Sequence, residues 1–453
     1  MSGRKGRRLL LIPLPVQGHI NPMLQLAEIL HSKGFSITII HATFNSPDPS
    51  NYPHFTFSFF QDGLSQTQPS DLLNFLVEFN VKSVDPFKDC VTKLLRTHEA
   101  EEEPVACLIS DAICYFTQAV ADNLQLPRIV LRTSSISSYV AFLAYPLFRQ
   151  RGYIPTQACI LEEEVEELAP LRVKDLPLIK TEEPEKYYEL LSNLLKETKG
   201  SLGVIWNSFE GLESPALKKL SKEFSIPMFP IGPFHKYLSS SSSSSSLISQ
   251  DQSCITWLDT HTPNSVVYVS FGSLAAITET EFVEIGWGLG NSKHPFLWVV
   301  RPGLIKGSEW LETLPSGFME NLEGRGLIVK WAPQQEVLAH SAVGAFWSHN
   351  GWNSTLESIC EGVPMICMPL FTDQKVNARY VSHVWKVGLQ LEKKVERGEV
   401  ERIIRRLMDA KAQGKEIRDR AFKLKEEAKV CLLQGASSYS SLQALVTYIL
   451  SFH

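Results

Sequence analysis

The segment Trp347-Ser348-His349-Asn350-Gly351-Trp352-Asn353-Ser354-Thr355-Leu356-Glu357 holds the densest set of groups able to bind an anion. An apolar run ends at Trp347, Gly351 permits close approach of a ligand to the backbone, and the pattern predicts a helix beginning around Asn353. Helix N-termini offer unpaired N–H donors and the positive end of a dipole, which suits phosphate groups. His349 and Ser354 would add side-chain donors. The same residues also allow a plainer arrangement, in which Ser354 and Glu357 close a capping box S-x-x-E. A second candidate is His19, just after the apolar run Leu9–Ile12, where an imidazole can serve as a general base. A lone loop histidine can equally be a solvated side chain.

Other chemistries lack their residues. No G-x-x-x-x-G-K-[ST] phosphate loop occurs, and Gly286-Trp287-Gly288-Leu289-Gly290 has the wrong spacing for a dinucleotide fingerprint and falls inside a predicted helix. A G-x-S-x-G nucleophile elbow is missing. No two aspartates are separated by a single residue, as in an Asp-x-Asp metal clamp, and the histidines do not cluster at zinc-ligand spacing. No metal site is expected. Phosphate binding would rest on backbone amides and a helix dipole.

The scaffold follows from the apolar runs. Leu9–Ile12 reads as a parallel strand buried on both faces, Asn21 and Pro22 as an N-cap and first helical residue, and Met23, Leu26, Ala27 and Leu30 as a helix face. Gly34 stops that helix, and a strand follows at Ile37–Ile40. Similar runs at Val105–Ile109 and Ile129–Leu131, separated by helix-length segments, predict a doubly wound parallel sheet. The eight serines Ser239–Ser246 form a solvated linker, after which the pattern restarts at Val266–Ser270, Phe296–Val300, Leu327–Val329, Val343–Trp347 and Met365–Met368. The chain has 453 residues, more than the ~100–200 of an ordinary domain. We therefore expect a Rossmann-like domain over 1–235, a Ser-rich linker over 236–252, and a second Rossmann-like domain over 253–437. A final helix over 438–453 is expected to pack back on the first domain.

Composition narrows the partners. Hydrophobic residues make up 44% and charged residues 21%, which is globular. Forty-four Lys and Arg against 49 Asp and Glu give a net charge of −5, so neither nucleic acid nor an anionic membrane is an expected partner. No stretch reaches the ~18–20 apolar residues of a membrane span. The basic start at Arg4-Lys5-Gly6-Arg7-Arg8 suggests a signal peptide, but Pro13 and Pro15 interrupt the apolar run and no small-residue cleavage site follows. Eight scattered cysteines without a C-x-x-C pair fit a reducing compartment. A cytoplasmic monomer is expected.

The 44-residue block from Trp331-Ala332-Pro333-Gln334 to Phe371-Thr372-Asp373-Gln374, with His340, the HNGWNS turn, Glu357, Glu361-Gly362-Val363-Pro364 and Pro369, resembles the signature of the plant family 1 UDP-dependent glycosyltransferases. The resemblance extends to the GHINPM start, the FGS turn at Phe271–Ser273 and the segment Gly435–Ser438. Asn350 and Phe371 depart from it, standing where Cys and Trp are common.

This resemblance implies a GT-B fold, two facing Rossmann-like domains with an interdomain cleft, the donor in the C-terminal domain and the acceptor in the N-terminal one. It implies that Trp331 stacks on uracil while the Ala332 backbone reads the base edge, and that Gln334 and Glu357 bond the ribose. Ser273, His349, Asn353 and Ser354, with Gly351 at the turn, would hold the diphosphate without metal. Trp352, Asp373 and Gln374 would face the sugar, Gln374 favouring glucose. His19 would be the base and Asp111, after the strand Val105–Ile109, its orienting carboxylate.

The expected activity is inverting transfer of glucose from UDP-glucose, a co-substrate with no bound cofactor, to a hydroxyl, carboxyl or amine of a small lipophilic phenolic, terpenoid or hormone. Two other readings are a non-catalytic UDP-sugar or small-molecule binding protein, disfavoured by intact His19 and Asp111, and a nicotinamide-dependent oxidoreductase, disfavoured by the missing glycine fingerprint. Phe87, Tyr115, Phe116, Tyr139 and Phe142 are pocket or core candidates for the N-terminal half.

Overall fold

The computed structural model describes residues 7–64, 71–100, 103–154, 156–179, 181–238, 247–308, 314, 318, 322, 324–409, 411 and 413–452. The serines Ser239–Ser246 of the expected linker lie outside the described residues. Two compact units are present: Met1–Ile136 with Ile179–Leu247 and Cys431–His453, and Ser137–Leu178 with Ile248–Val430. Residues 137–178, expected with the first domain, therefore group with the second unit. Hydrogen bonds such as Ser138 Oγ to Asn377 Oδ1 at 3.1 Å and Arg379 Nε to Pro170 O at 2.8 Å hold them there.

In the first unit seven strands form one sheet: β1 (Arg8–Ile12), β2 (Ser36–Ala42), β3 (Thr56–Phe60), β4 (Val105–Asp111), β5 (Arg128–Arg132), β6 (Val204–Trp206) and β7 (Met228–Pro230), in the order β3-β2-β1-β4-β5-β6-β7. Every pairing is parallel. Leu9, Leu10, Leu11 and Ile12 are all fully buried, as a strand covered on both faces requires. The helix Gln17–His31 packs Ile20, Leu24, Ala27 and Leu30 onto this sheet. It begins four residues before the expected Asn21 cap. Val16 is the N-cap residue, its carbonyl accepting from the His19 and Ile20 amides, and Pro22 sits inside the helix. One proline so near the N-terminus removes only one intrahelical bond, which the buried apolar face outweighs. The helix Ser437–Leu450 belongs to the same core through Leu442, Leu445 and Ile449, and Ser438 Oγ bonds the Gly232 carbonyl at 2.7 Å.

The second unit is built on six strands: β8 (Val266–Ser270), β9 (Phe296–Val299), β10 (Gly326–Val329), β11 (Val343–Ser348), β12 (Met365–Cys367) and β13 (Gly388–Gln390), ordered β10-β9-β8-β11-β12-β13 and again all parallel. Helix Glu279–Ser292 carries the false fingerprint. A Cβ at Gly288 would lie 2.4 Å from Val400 Cβ, so this glycine lets the helix press against Arg397–Met408. Those glycines serve helix packing, not phosphate binding.

Candidate active site

Strand order reverses in each sheet, between β1 and β4 and between β8 and β11, and crevices open beyond the carboxyl ends of strands at such points. His19 lies on the first turn of helix Gln17–His31, just beyond β1. Asp111 is the last residue of β4 and is wholly buried. Although 92 positions apart, the His19 Nδ1 and Asp111 Oδ2 atoms are 2.7 Å from each other, and the imidazole keeps about a quarter of its surface exposed. The other oxygen, Oδ1, accepts from the Ile113 amide at 2.8 Å, which fixes the carboxylate plane. With the Nδ1 proton directed at Asp111, Nε2 carries the free lone pair.

Sequence reasoning missed a third member. Thr133, just after β5, places Oγ1 3.0 Å from His19 Nδ1. Its signal was available, since Thr133 follows the run Ile129–Leu131 as Asp111 follows the run Val105–Ile109.

In the second unit helix Trp352–Glu361 follows β11 with Gly351 as its N-cap residue and no side-chain cap. Ser354 and Glu357 are thus inside the helix and form no capping box. Instead they converge on Gln334, whose Nε2 lies 2.9 Å from Ser354 Oγ and 2.7 Å from Glu357 Oε2. Tyr268 donates to Gln334 Oε1 at 3.2 Å, and Gln335 donates to Glu357 Oε1 at 2.9 Å. This network holds Glu357 with both oxygens aimed by neutral donors.

His349 stands beside the same helix start. Cβ atoms at Gly272 and Gly351 would lie 2.6 and 2.5 Å from its ring, so both turns must be glycine for the imidazole to fit. Burial, reinforced by the Arg301 guanidinium, pushes the His349 pKa down to about 4, leaving a neutral ring at neutral pH. Although the residue keeps partial exposure, its Nδ1 is enclosed, and that enclosure opposes protonation. Ser273 is half-buried two residues beyond Phe271 on the turn after β8. Asn350 is fully buried at φ 61°, with Nδ2 3.3 Å from Cys367 Sγ, and its carbonyl accepts from Asn377 Nδ2 at 3.0 Å.

The remaining expected residues fall on the turns nearby. Trp331, half-buried, and Ala332, buried, follow β10, and the Trp331 carbonyl accepts from the Asp251 amide at 2.9 Å. Asp373 starts helix Asp373–Arg379 after Thr372, which adopts φ 47°. Gln374 uses Oε1 to accept from the Leu370 and Phe371 amides at 3.0 and 3.2 Å, so its amide nitrogen is the end available to a ligand. Asn353 is half-buried on the first helical turn. Trp352 is only 3% exposed, its ring 6.4 Å from Trp385, so its backbone is better placed than its indole to meet a ligand.

Among the pocket candidates Phe87, Phe116 and Tyr139 are core, while Tyr115 and Phe142 are half-buried. Space also gathers Glu28, His31 and His54, potential metal ligands not grouped in sequence. They lie at the far end of the helix from His19, and His54 Nε2 is already paired with Glu28 Oε1 at 2.9 Å.

Residues 8–419 match the family described as UDP-glucoronosyl and UDP-glucosyl transferase. The chain belongs to that family. It is 52% identical over 445 residues to UDP-glycosyltransferase 76B1 of Arabidopsis thaliana, covering 98% of each chain. A solved Phytolacca americana glycosyltransferase complexed with UDP-2-fluoroglucose and pterostilbene is similar at 28% identity and a TM-score of 0.79, over 99% of this chain and 100% of that one. A UDP-glucose:anthocyanidin 3-O-glucosyltransferase in complex with UDP is similar at 25% identity and a TM-score of 0.85, over the whole of both chains. The protein is thus a UDP-glycosyltransferase of the plant family 1 type, with the two Rossmann-like domains of the GT-B class. Among the described residues no helix is long and apolar enough to cross a membrane. All eight cysteines are free.

Proposed function

We propose that this enzyme transfers glucose from UDP-glucose to a hydroxyl of a small lipophilic metabolite with inversion at the anomeric carbon. The observation that carries this reading is the 2.7 Å contact between His19 and the buried Asp111 beyond the reversal point of the first sheet. The acceptor O–H gives its proton to His19 Nε2 as the acceptor oxygen bonds to the anomeric carbon. The bond from that carbon to the diphosphate oxygen breaks, and its electron pair leaves with UDP. Asp111 stabilises the imidazolium while it exists.

On the donor side, Trp331 and Ala332 take the uracil, and Gln334 and Glu357 the ribose. Ser273, His349, Asn353, Ser354 and the helix amides after Gly351 take the diphosphate. Asp373, Gln374 and the Trp352 backbone meet the sugar. That a similar chain was solved with a donor analogue and an acceptor supports a UDP-sugar site here, and the Gln334–Ser354–Glu357 network supports the ribose assignment. The acceptor class is a phenol, terpenol or hormone, and free cysteines fit a monomer working in the reducing cytoplasm.

The test is mass spectrometry of wild-type protein and His19→Ala with UDP-glucose and a mixed panel of phenols, terpenols, hormones and carboxylic acids. A hexose-adduct product present with wild type and lost in the variant, with UDP binding retained, is expected. Loss of UDP binding in the variant would give His19 a structural role. UDP binding by wild type without product from any UDP-sugar would favour a non-catalytic binding protein.

A further inference from the structure

Transfer without metal needs positive charge near the departing diphosphate, and the neutral His349 ring does not supply it. Arg301 is the group to consider. It sits just beyond β9, the neighbour of β8, so both strand ends open on the same side of the parallel sheet. Only 7% of its surface is exposed. Nε donates to the Gly272 carbonyl at 2.9 Å, Nη1 to the Pro302 carbonyl at 3.0 Å, and Nη2 to the Ala275 carbonyl. Two of these acceptors flank Ser273 on the turn after β8. Gly272 thus meets the guanidinium through its carbonyl and the His349 ring at its Cα, where a Cβ would sit 2.6 Å from that ring.

All three partners are neutral. Among the described residues no carboxylate pairs with Arg301. Burial lowers its pKa to about 10, still leaving it charged at neutral pH, and no nearby charge contributes to that shift. A buried cation without a counter-ion is costly, and such a group is more often retained where a ligand completes it. It is also the one charged group, among the described residues, whose field acts on His349.

We propose that Arg301 is a positioning residue for the donor: it clamps the Phe271–Ser273 turn through Gly272 and Ala275 and sets an uncompensated positive charge behind the diphosphate. The charge favours UDP over neutral uridine and, in the transition state, the charge gathering on the leaving diphosphate. This inference rests on the donor site proposed above.

Fluorescence titration of wild type, Arg301→Met and Arg301→Lys with UDP and with uridine tests it. Arg301→Met should bind UDP about ten- to a hundredfold more weakly, with uridine affinity within about threefold of wild type. Arg301→Lys keeps the charge but not the planar fork that reaches three carbonyls, so its UDP affinity should fall between those of wild type and Arg301→Met. Unchanged UDP binding in the Met variant overturns the proposal. So does an equal loss for uridine, which would mean collapse of the site, or a Lys variant as weak as Met, which would mean that shape and not charge matters. If the Met variant does not fold, the ratio of UDP to uridine affinity in the Lys variant decides: kept supports the proposal, lost overturns it. Wild-type protein that binds neither ligand would refute the donor site itself, and this inference with it.

Discussion

Replacing Asp111 by Asn changes one charge while keeping the side-chain shape, and the surrounding bonds fix what the amide must do. Oδ1 of Asp111 accepts from the Ile113 amide at 2.8 Å and Oδ2 faces His19 Nδ1 at 2.7 Å. An asparagine can present its oxygen to only one of these partners. Kept on the Ile113 N–H, it turns its NH₂ group toward Nδ1, which must then carry the lone pair. The proton moves to Nε2, and the base is lost. The opposite orientation sets two N–H donors against each other. Either way the imidazolium of the proposed mechanism faces no carboxylate, and removing one partner of a buried charge pair costs ~3–5 kcal/mol. That corresponds to a fall in kcat of roughly 10²- to 10⁴-fold. Initial rates with a phenol or alcohol acceptor should show it, with the UDP-glucose KM and the melting temperature near wild type. A carboxylic acid acceptor, ionised at neutral pH, should lose less than about tenfold, because no proton needs removing. A kcat within tenfold of wild type for a phenol would refute the reasoning.

The other expectations concern donor and stability. Glu357→Ala removes the acceptor for both Gln334 and Gln335. It should raise the UDP-glucose KM about ten- to a hundredfold, as for a lost hydrogen bond to a charged group; an unchanged KM takes Glu357 out of the ribose site. Gln374→Glu preserves an oxygen for the Leu370 and Phe371 amides but loses the NH₂ donor. Donor KM should rise about three- to tenfold with little change in melting temperature, and an unaltered donor profile would place sugar choice elsewhere. Burial, with Lys236 adding to it, pushes the His235 pKa down to about 3 from an ordinary 6.5. The folded protein therefore resists a proton that the unfolded chain accepts, so this contribution is full above pH 6.5 and is lost as pH falls below it. Melting temperature should drop between pH 6.5 and 5, and His235→Gln should reduce that drop; an identical slope in the variant would mean that His235 is not the cause.

Much of this architecture could be read from buried apolar runs. Leu9–Ile12, Val105–Ile109 and Val343–Trp347 become strands because sheets covered on both faces demand unbroken hydrophobic sequence. The strands β6, β7 and β13, three residues each, escape that logic, whereas the equally short β12 was legible because Met365–Met368 extends it to a four-residue apolar run. Periodicity also misjudged the first helix: Pro22 suggested a start that tertiary packing overrides. Residues 137–178 follow the first domain in sequence, but their partners are Asn377, Arg379 and Glu392, which no local pattern announces. The proposed donor residues were legible only through a long fixed-spacing block. Arg301 was not, because an arginine at a strand end gains meaning only from the neighbouring strand, and Thr133 offered no more than its place after the run Ile129–Leu131.

Both units place a strand, a short turn and a helix N-terminus at the point where strand order reverses, yet they fill it differently. In both units the N-cap carbonyl takes an amide of the first turn, Val16 from Ile20 and Gly351 from Thr355, but in the first unit the turn also carries His19, whose partner Asp111 comes from the adjacent strand. In the second unit Gly351 caps the helix with no side chain, and a Cβ there would strike His349, so the turn presents backbone and a neutral ring. In the mechanism proposed above, one geometry serves as a base where the turn carries an imidazole braced by a carboxylate. In the same proposal it serves as an anion cradle where glycine strips the turn to its amides. On this view Gly351→Ala should damage donor binding far more than its single methyl suggests, because the ring of His349 has nowhere to move without leaving the cradle. Titration with UDP measures this directly, and affinity within about threefold of wild type would mean that the turn tolerates a side chain and that the cradle lies elsewhere.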